Sequence, residues 1–114
     1  MIGAAIAVVS TAYCLGGTMA DGSHVRSGSV AQNSYSLGTH LEITPSPTGR
    51  RRFTVRDRIG WGTELDFWLP SCRAAMAWGR RTVRIRVGWR PRHWWWSEVV
   101  RMTPILRAAM AAPL

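Results

Sequence analysis

The chain has 114 residues, of which 46% are hydrophobic, enough for one domain around one core. All fifteen basic residues are arginine, and against six carboxylates they leave a net charge of +9. Residues 1–48 hold Arg26, Asp21 and Glu42 for a net −1, so the positive charge belongs to residues 49–114, at +10. Such a field attracts nucleic acid, an anionic membrane face or an anionic cell-wall polymer without choosing among them, and a GC-rich coding sequence also produces an arginine excess.

The N-terminal run Met1 to Val9 is apolar and rich in small residues, with a cleavage-site character at Ala5-Ile6-Ala7, but no basic residue precedes it. It is half of a secretion signal or the lead-in to a first strand, and no segment is long enough to span a bilayer. Ala5 to Cys14 is β-branched and aromatic and predicts a strand, broken by Leu15-Gly16-Gly17. Asp21-Gly22 marks a turn, His24 to Val30 a short strand or ordered loop, and Leu37-Gly38 another turn. Thr39 to Thr44 alternates, with Leu41 and Ile43 inward and His40 and Glu42 outward. Pro45 to Gly49 is a loop, and Arg50-Arg51-Arg52 at its exit reads as a solvated strand edge.

Phe53 to Val55 and Leu65 to Trp68 are strand-like, with Gly60 and Gly62 turning the chain around Trp61 between them. Read as strand, turn and strand, this stretch places Asp57 and Asp66 at the two ends of one hairpin-like excursion. Carboxyls set against Phe and Trp are costly to ionise, which raises their pKa and readies them to donate a proton near neutral pH. The alternative is that both are turn caps or satisfied surface groups. Arg56 and Arg58 flank Asp57, and an ion pair with either lowers a carboxylate's pKa instead.

Pro70-Ser71 predicts a helix start with Ser71 as N-cap, continuing through Cys72 to Trp78 with Ala75, Met76 and Cys72 inward and Gly79 as the stop. Arg80 to Gly88 is a strand with Val83, Ile85 and Val87 inward and Arg84 and Arg86 forming a positive outer face. From Trp89 the alternation ends. Trp94-Trp95-Trp96 suits burial, a membrane interface or stacking on a sugar or base, and Ser97 to Met110 is a weak helix interrupted by Pro104.

Several chemistries lack their residues. Gly16-Gly17 has no following Lys-Ser/Thr, there is no Gly-x-Ser-x-Gly or His-Glu-x-x-His, and Cys14 and Cys72 have no cysteine or histidine at zinc-ligand spacing. No metal and no cofactor is expected. The two cysteines suit one long-range disulfide in an oxidising compartment, with two buried thiols in the cytosol as the alternative. Carboxylates interleaved with tryptophan suit glycan chemistry, because sugar rings stack on indole and glycosidic cleavage needs an acid. One acid suffices where the substrate's own acetamido group is the nucleophile.

The residues also resemble the bacterial 3D (Asp-Asp-Asp) domain, found in secreted cell-wall proteins and in MltA-type lytic transglycosylases. Thr11-Ala12-Tyr13 is similar to its opening strand, Met19 to Gly22 to its first turn, Gly28 to Asn33 to its Gly-x-Val-Ala-x-Asp segment and Leu37-Gly38-Thr39 to its Leu-Gly-Thr step. Val55 to Gly62 is similar to a shortened Val-x-Asp-x-Gly-Gly-x-Ile-x-Gly, Glu64 to Trp68 to Arg-Ile-Asp-Leu-Trp, and Ala75 to Val83 to Ala-x-x-Phe-Gly-x-Arg-x-Val. The resemblance covers about residues 10–88. It departs at Asn33, where the family's first aspartate stands, and at Arg58, in place of a small polar residue.

The resemblance implies a mainly β fold, a six-stranded double-psi β-barrel related to RlpA and expansin domains, with one short helix and a C-terminal extension. The domain then spans residues 10–88, after a signal remnant or lead-in at 1–9 and before a Trp/Arg-rich extension at 89–114. It implies a secreted or envelope-facing peptidoglycan protein, with Asp66 as the catalytic acid and Asp57 supporting it. Trp61 and Trp68, with Arg58 and Glu64, form the expected substrate-binding set, core packing being the equal alternative for Trp68. It also favours the Cys14–Cys72 disulfide, and a monomer is expected. A non-catalytic glycan-binding module and an arginine-driven binder of nucleic acid or anionic lipid are the alternatives.

Overall fold

The computed structural model describes residues 4–89. Six strands close into a barrel: β1 (Ile6–Tyr13), β2 (Ser29–Ala31), β3 (His40–Thr44), β4 (Arg52–Asp57), β5 (Leu65–Trp68) and β6 (Arg81–Trp89). Their order around the barrel is β1-β5-β2-β4-β3-β6, and one helix, α1 (Cys72–Trp78), connects β5 to β6. β1 with β5 and β2 with β4 run parallel, and the other four pairings are antiparallel. Parallel neighbours need a crossover. The two crossovers here interleave the halves of the chain, consistent with the expected double-psi arrangement.

Alternation builds the core. Leu41 and Ile43 of β3, Phe53 and Val55 of β4, Leu65 and Phe67 of β5, and Val83 and Ile85 of β6 point inward and are buried. Phe67 sits edge-on to Phe53 at 5.0 Å and to Trp78 at 5.5 Å between ring centroids. Such pairings add roughly 0.5–1.5 kcal/mol each beyond burial. β1 is the exception: its fully buried residue is Ser10, whose hydroxyl donates to the Arg81 carbonyl at 2.7 Å and accepts from the Trp78 indole N–H at 3.0 Å. Both polar groups are thereby satisfied inside the barrel.

Ile6 to Val9 lie within β1, paired with β6, and Trp89 is the last residue of β6. Ser71 caps α1 by accepting from Ala74 N at 3.2 Å, and Gly79, at φ 66°, ends it. The inward face of α1 differs from expectation. Met76 is 83% exposed, whereas Ala75 and Trp78 are buried, because Trp78 reaches Ser10 through its indole and the short helix has one narrow contact stripe. Cys14 and Cys72 form a disulfide that ties the chain after β1 to the first residue of α1.

The expected hairpin between β4 and β5 does not form. β2 lies between them, antiparallel to β5 and parallel to β4. Ala31 is paired with Asp57 on one side and Asp66 on the other. The two residues therefore share one level of the sheet, two strand spacings or about 10 Å apart across it. Among the described residues no helix is long and apolar enough to cross a membrane. Trp94 to Trp96 and the helix expected from Ser97 lie outside the described residues.

Candidate functional site

Burial of Leu65 and Phe67 turns Asp66 to the outer face of β5, where parallel pairing sets it beside Thr11 of β1. The Thr11 hydroxyl donates to Asp66 Oδ1 at 3.0 Å. Asp66 is half-buried, and its pKa is raised above the usual carboxylate range, chiefly by that burial. The Thr11 bond opposes the shift, and the nearby charges of Asp57 and Glu64 add to it. Among the described residues no guanidinium comes within 4.0 Å of this carboxyl. Arg56 instead approaches Asp21 at 4.0 Å, and the Arg58 side chain donates to the carbonyls of Gln32 and Tyr35, each at 2.5 Å.

Asp66 lies in a groove of about 690 Å³ lined by Thr11, the 59–64 segment and Arg80. Trp61 stands at its rim, 88% exposed. Glu64 is in the same lining but is bound at 2.6 Å to Arg80. The segment carrying Trp61 is anchored from β2's exit: Asn33 Nδ2 donates to the carbonyls of Ile59 and Gly62, both at 3.2 Å, and its Oδ1 accepts from Ile59 N at 3.1 Å. Buried Gln32 adds a donor bond to the Thr63 carbonyl at 3.1 Å. Gly62 has φ 94°, a conformation that a side chain disfavours. An amide at position 33 serves this turn because it donates and accepts at once, which an ionised aspartate cannot do.

Asp57 occupies a different setting. It accepts from the Tyr13 hydroxyl at 3.1 Å, from Ala20 N at 3.0 Å and from Arg58 N at 2.9 Å. It thus joins β1, the first turn and β4. Burial and the Asp57 charge push the Tyr13 phenol well above its ordinary pKa, so it remains a donor.

Of the expected substrate-binding set, Trp61 and Glu64 come together with Asp66, whereas Trp68 and Arg58 are not among the groove's lining residues. Trp68 shares the outer face with Asp66 but lies two residues further along β5, with its indole N–H given to the Leu15 carbonyl at 2.9 Å. Arg58 staples the chain after β2. The sequence alone assigns no role to Thr11, Arg80 or Asn33, although Thr11 falls in the stretch similar to the 3D domain's opening strand and Asn33 at the position of its first aspartate. Among the described residues no group of three or more His, Cys, Asp or Glu is placed to hold a metal ion. No protein-family model matches the sequence, and no curated protein is significantly similar to it.

Proposed function

We propose that the protein works at the cell envelope on peptidoglycan, with the glycan strand lying in the Asp66 groove and Asp66 as a single general acid for β-1,4 cleavage. The observation that carries this reading is a half-buried carboxyl of raised pKa, with no arginine partner among the described residues, opening into a groove beside an exposed tryptophan. A proton held to higher pH is what protonation of a glycosidic oxygen requires. Asp57 is occupied by three donors and Glu64 by Arg80, so neither offers a free second carboxylate for the usual two-acid scheme. A one-acid route fits better. Asp66 gives its proton to the glycosidic oxygen as the C1–O bond breaks, the sugar's own 6-hydroxyl oxygen bonds to C1, and the hydroxyl proton returns to Asp66. The product is an anhydro sugar, and no water is consumed.

Trp61 supplies an apolar face for a sugar ring, and the Asn33 and Gln32 bonds hold the segment that carries it. The Cys14–Cys72 bridge accords with an oxidising compartment. Incubation with purified peptidoglycan, followed by mass analysis, is expected to yield anhydromuropeptides, and Asp66→Asn is expected to abolish them. Binding to peptidoglycan with no product from the native chain would reduce the reading to a glycan-binding module. That second reading draws on the same groove and exposed Trp61.

A further inference from the structure

The barrel wall opposite β5 is formed by β3 and its neighbours β4 and β6. The alternation that buries Leu41, Phe53 and Ile85 turns Glu42, Arg52, Arg84 and Arg86 outward. Register sets Glu42 opposite Arg52 on one side and Arg86 on the other. Two shallow cavities run along this face, one of about 220 Å³ that includes Arg51, Arg84 and Arg86, and one of about 360 Å³ that includes His40, Arg52 and Trp89. Among the described residues none of these four arginines has a carboxylate within 4.0 Å, and Glu42 is the one acid lining either cavity. The sheet holds Arg52, Arg84 and Arg86, the loop before β4 holds Arg51, and the single Glu42 carboxylate among them leaves a surplus of positive charge whose mutual repulsion a bound anion would relieve. At one end the rings of His40 and Trp89 meet at 5.1 Å, leaving Trp89 55% exposed as a supported aromatic face.

We propose that this face is a second binding site, separate from the Asp66 groove, for a phosphodiester-linked polyol polymer carrying sugar substituents. Guanidinium forks match phosphate oxygens two at a time, and arginines set about 10 Å apart across the sheet from β4 to β6 and about 7 Å apart along β6 suit a repeating charge rather than a single ion. The open Trp89 face receives a pendant sugar ring. A disulfide-bonded barrel belongs in an oxidising compartment, where surface phosphodiester polymers are within reach and nucleic acid is not the usual polyanion.

The test is a salt titration of the full chain with a fluorescent oligo(glycerol phosphate) bearing glucosyl groups. A single-stranded oligonucleotide of equal phosphate number and an oligomer of hyaluronan run beside it. Four phosphate contacts give a log–log slope of about −3, so affinity falls about fifty-fold between 50 and 200 mM salt. Arg84→Gln with Arg86→Gln is expected to halve the slope and reduce that fall to about sevenfold. Trp89→Leu is expected to weaken the glucosylated oligomer several-fold while sparing the unsubstituted one, and Asp66→Asn to change neither. All altered side chains point outward, and thermal melts of the arginine double variant and Trp89→Leu that coincide with the native chain's check that the barrel is intact. Equal or tighter binding of the oligonucleotide or hyaluronan overturns the assignment. So does an unchanged slope in the arginine double variant, or loss of binding in Asp66→Asn.

Discussion

Replacing Cys14 and Cys72 together by alanine removes the one covalent tie in the described barrel, which closes a sequence separation of 58 residues. In the chain-entropy picture a loop of that length contributes about 4 kcal/mol, by limiting the unfolded ensemble rather than by adding contacts to the fold. Small domains unfold with roughly 5–15 kcal/mol in total, so the loss is a large share. With a urea m-value of about 1–2 kcal/mol/M, the unfolding midpoint is expected to drop by about 2–4 M. Equilibrium unfolding followed by tryptophan fluorescence measures it, and native protein held reduced should match the double variant. The same tie fixes the end of β1, which carries Thr11 and Tyr13, so peptidoglycan cleavage should fall in parallel with stability. A midpoint shift below about 0.5 M would refute the reasoning, and a shift in the variant but not in reduced protein would trace the effect to side-chain packing instead.

Asp66→Asn should abolish cleavage and yet raise the melting temperature at pH 7. The folded carboxyl's pKa lies above its ordinary value of 3.8, so the stability linked to its proton is present at low pH and lost as pH rises through the folded value. The difference between the variant and the native chain should therefore grow in the variant's favour over that window and level off above it. Trp78→Phe removes the indole bond to Ser10, opens space beside Phe67 and gives the Arg81 guanidinium, 4.1 Å over the indole, a smaller and weaker aromatic face. A loss of about 1–3 kcal/mol in denaturant unfolding is expected. Asn33→Asp loses both donor bonds to the turn around Trp61. Amide exchange and proteolysis should show that segment opening more often, with global stability down by no more than about 1.5 kcal/mol.

Much of the barrel is legible where a strand has one wet and one dry face. β3 and β6 declare themselves through Leu41/Ile43 and Val83/Ile85 set between polar residues, and α1 through Ser71 and Gly79. What stays hidden is pairing. β2 has three residues, all buried, so it shows no alternation and gives no sign that it separates β4 from β5. The hairpin expectation failed for that reason, although Asp57 and Asp66 still arrive at one level through Ala31. The site shows the same division. Asp66, Trp61 and Glu64 are close in sequence and stand together, whereas Thr11 comes from β1 and Arg80 from the bend before β6. Trp68 fails to join them because period-two spacing fixes its face and not its distance along the strand.

The first and last strands of the barrel are immediate neighbours: Ile6 stands opposite Ile85, and Ser10 opposite Arg81. The chain therefore enters and leaves the barrel along one seam. A linker joining those two points would have only a short gap to span, so the barrel lends itself to circular permutation, with new ends cut into the exposed stretch around Thr48 and Gly49. It could equally be spliced as a cassette into a surface loop of another protein without prising that host apart.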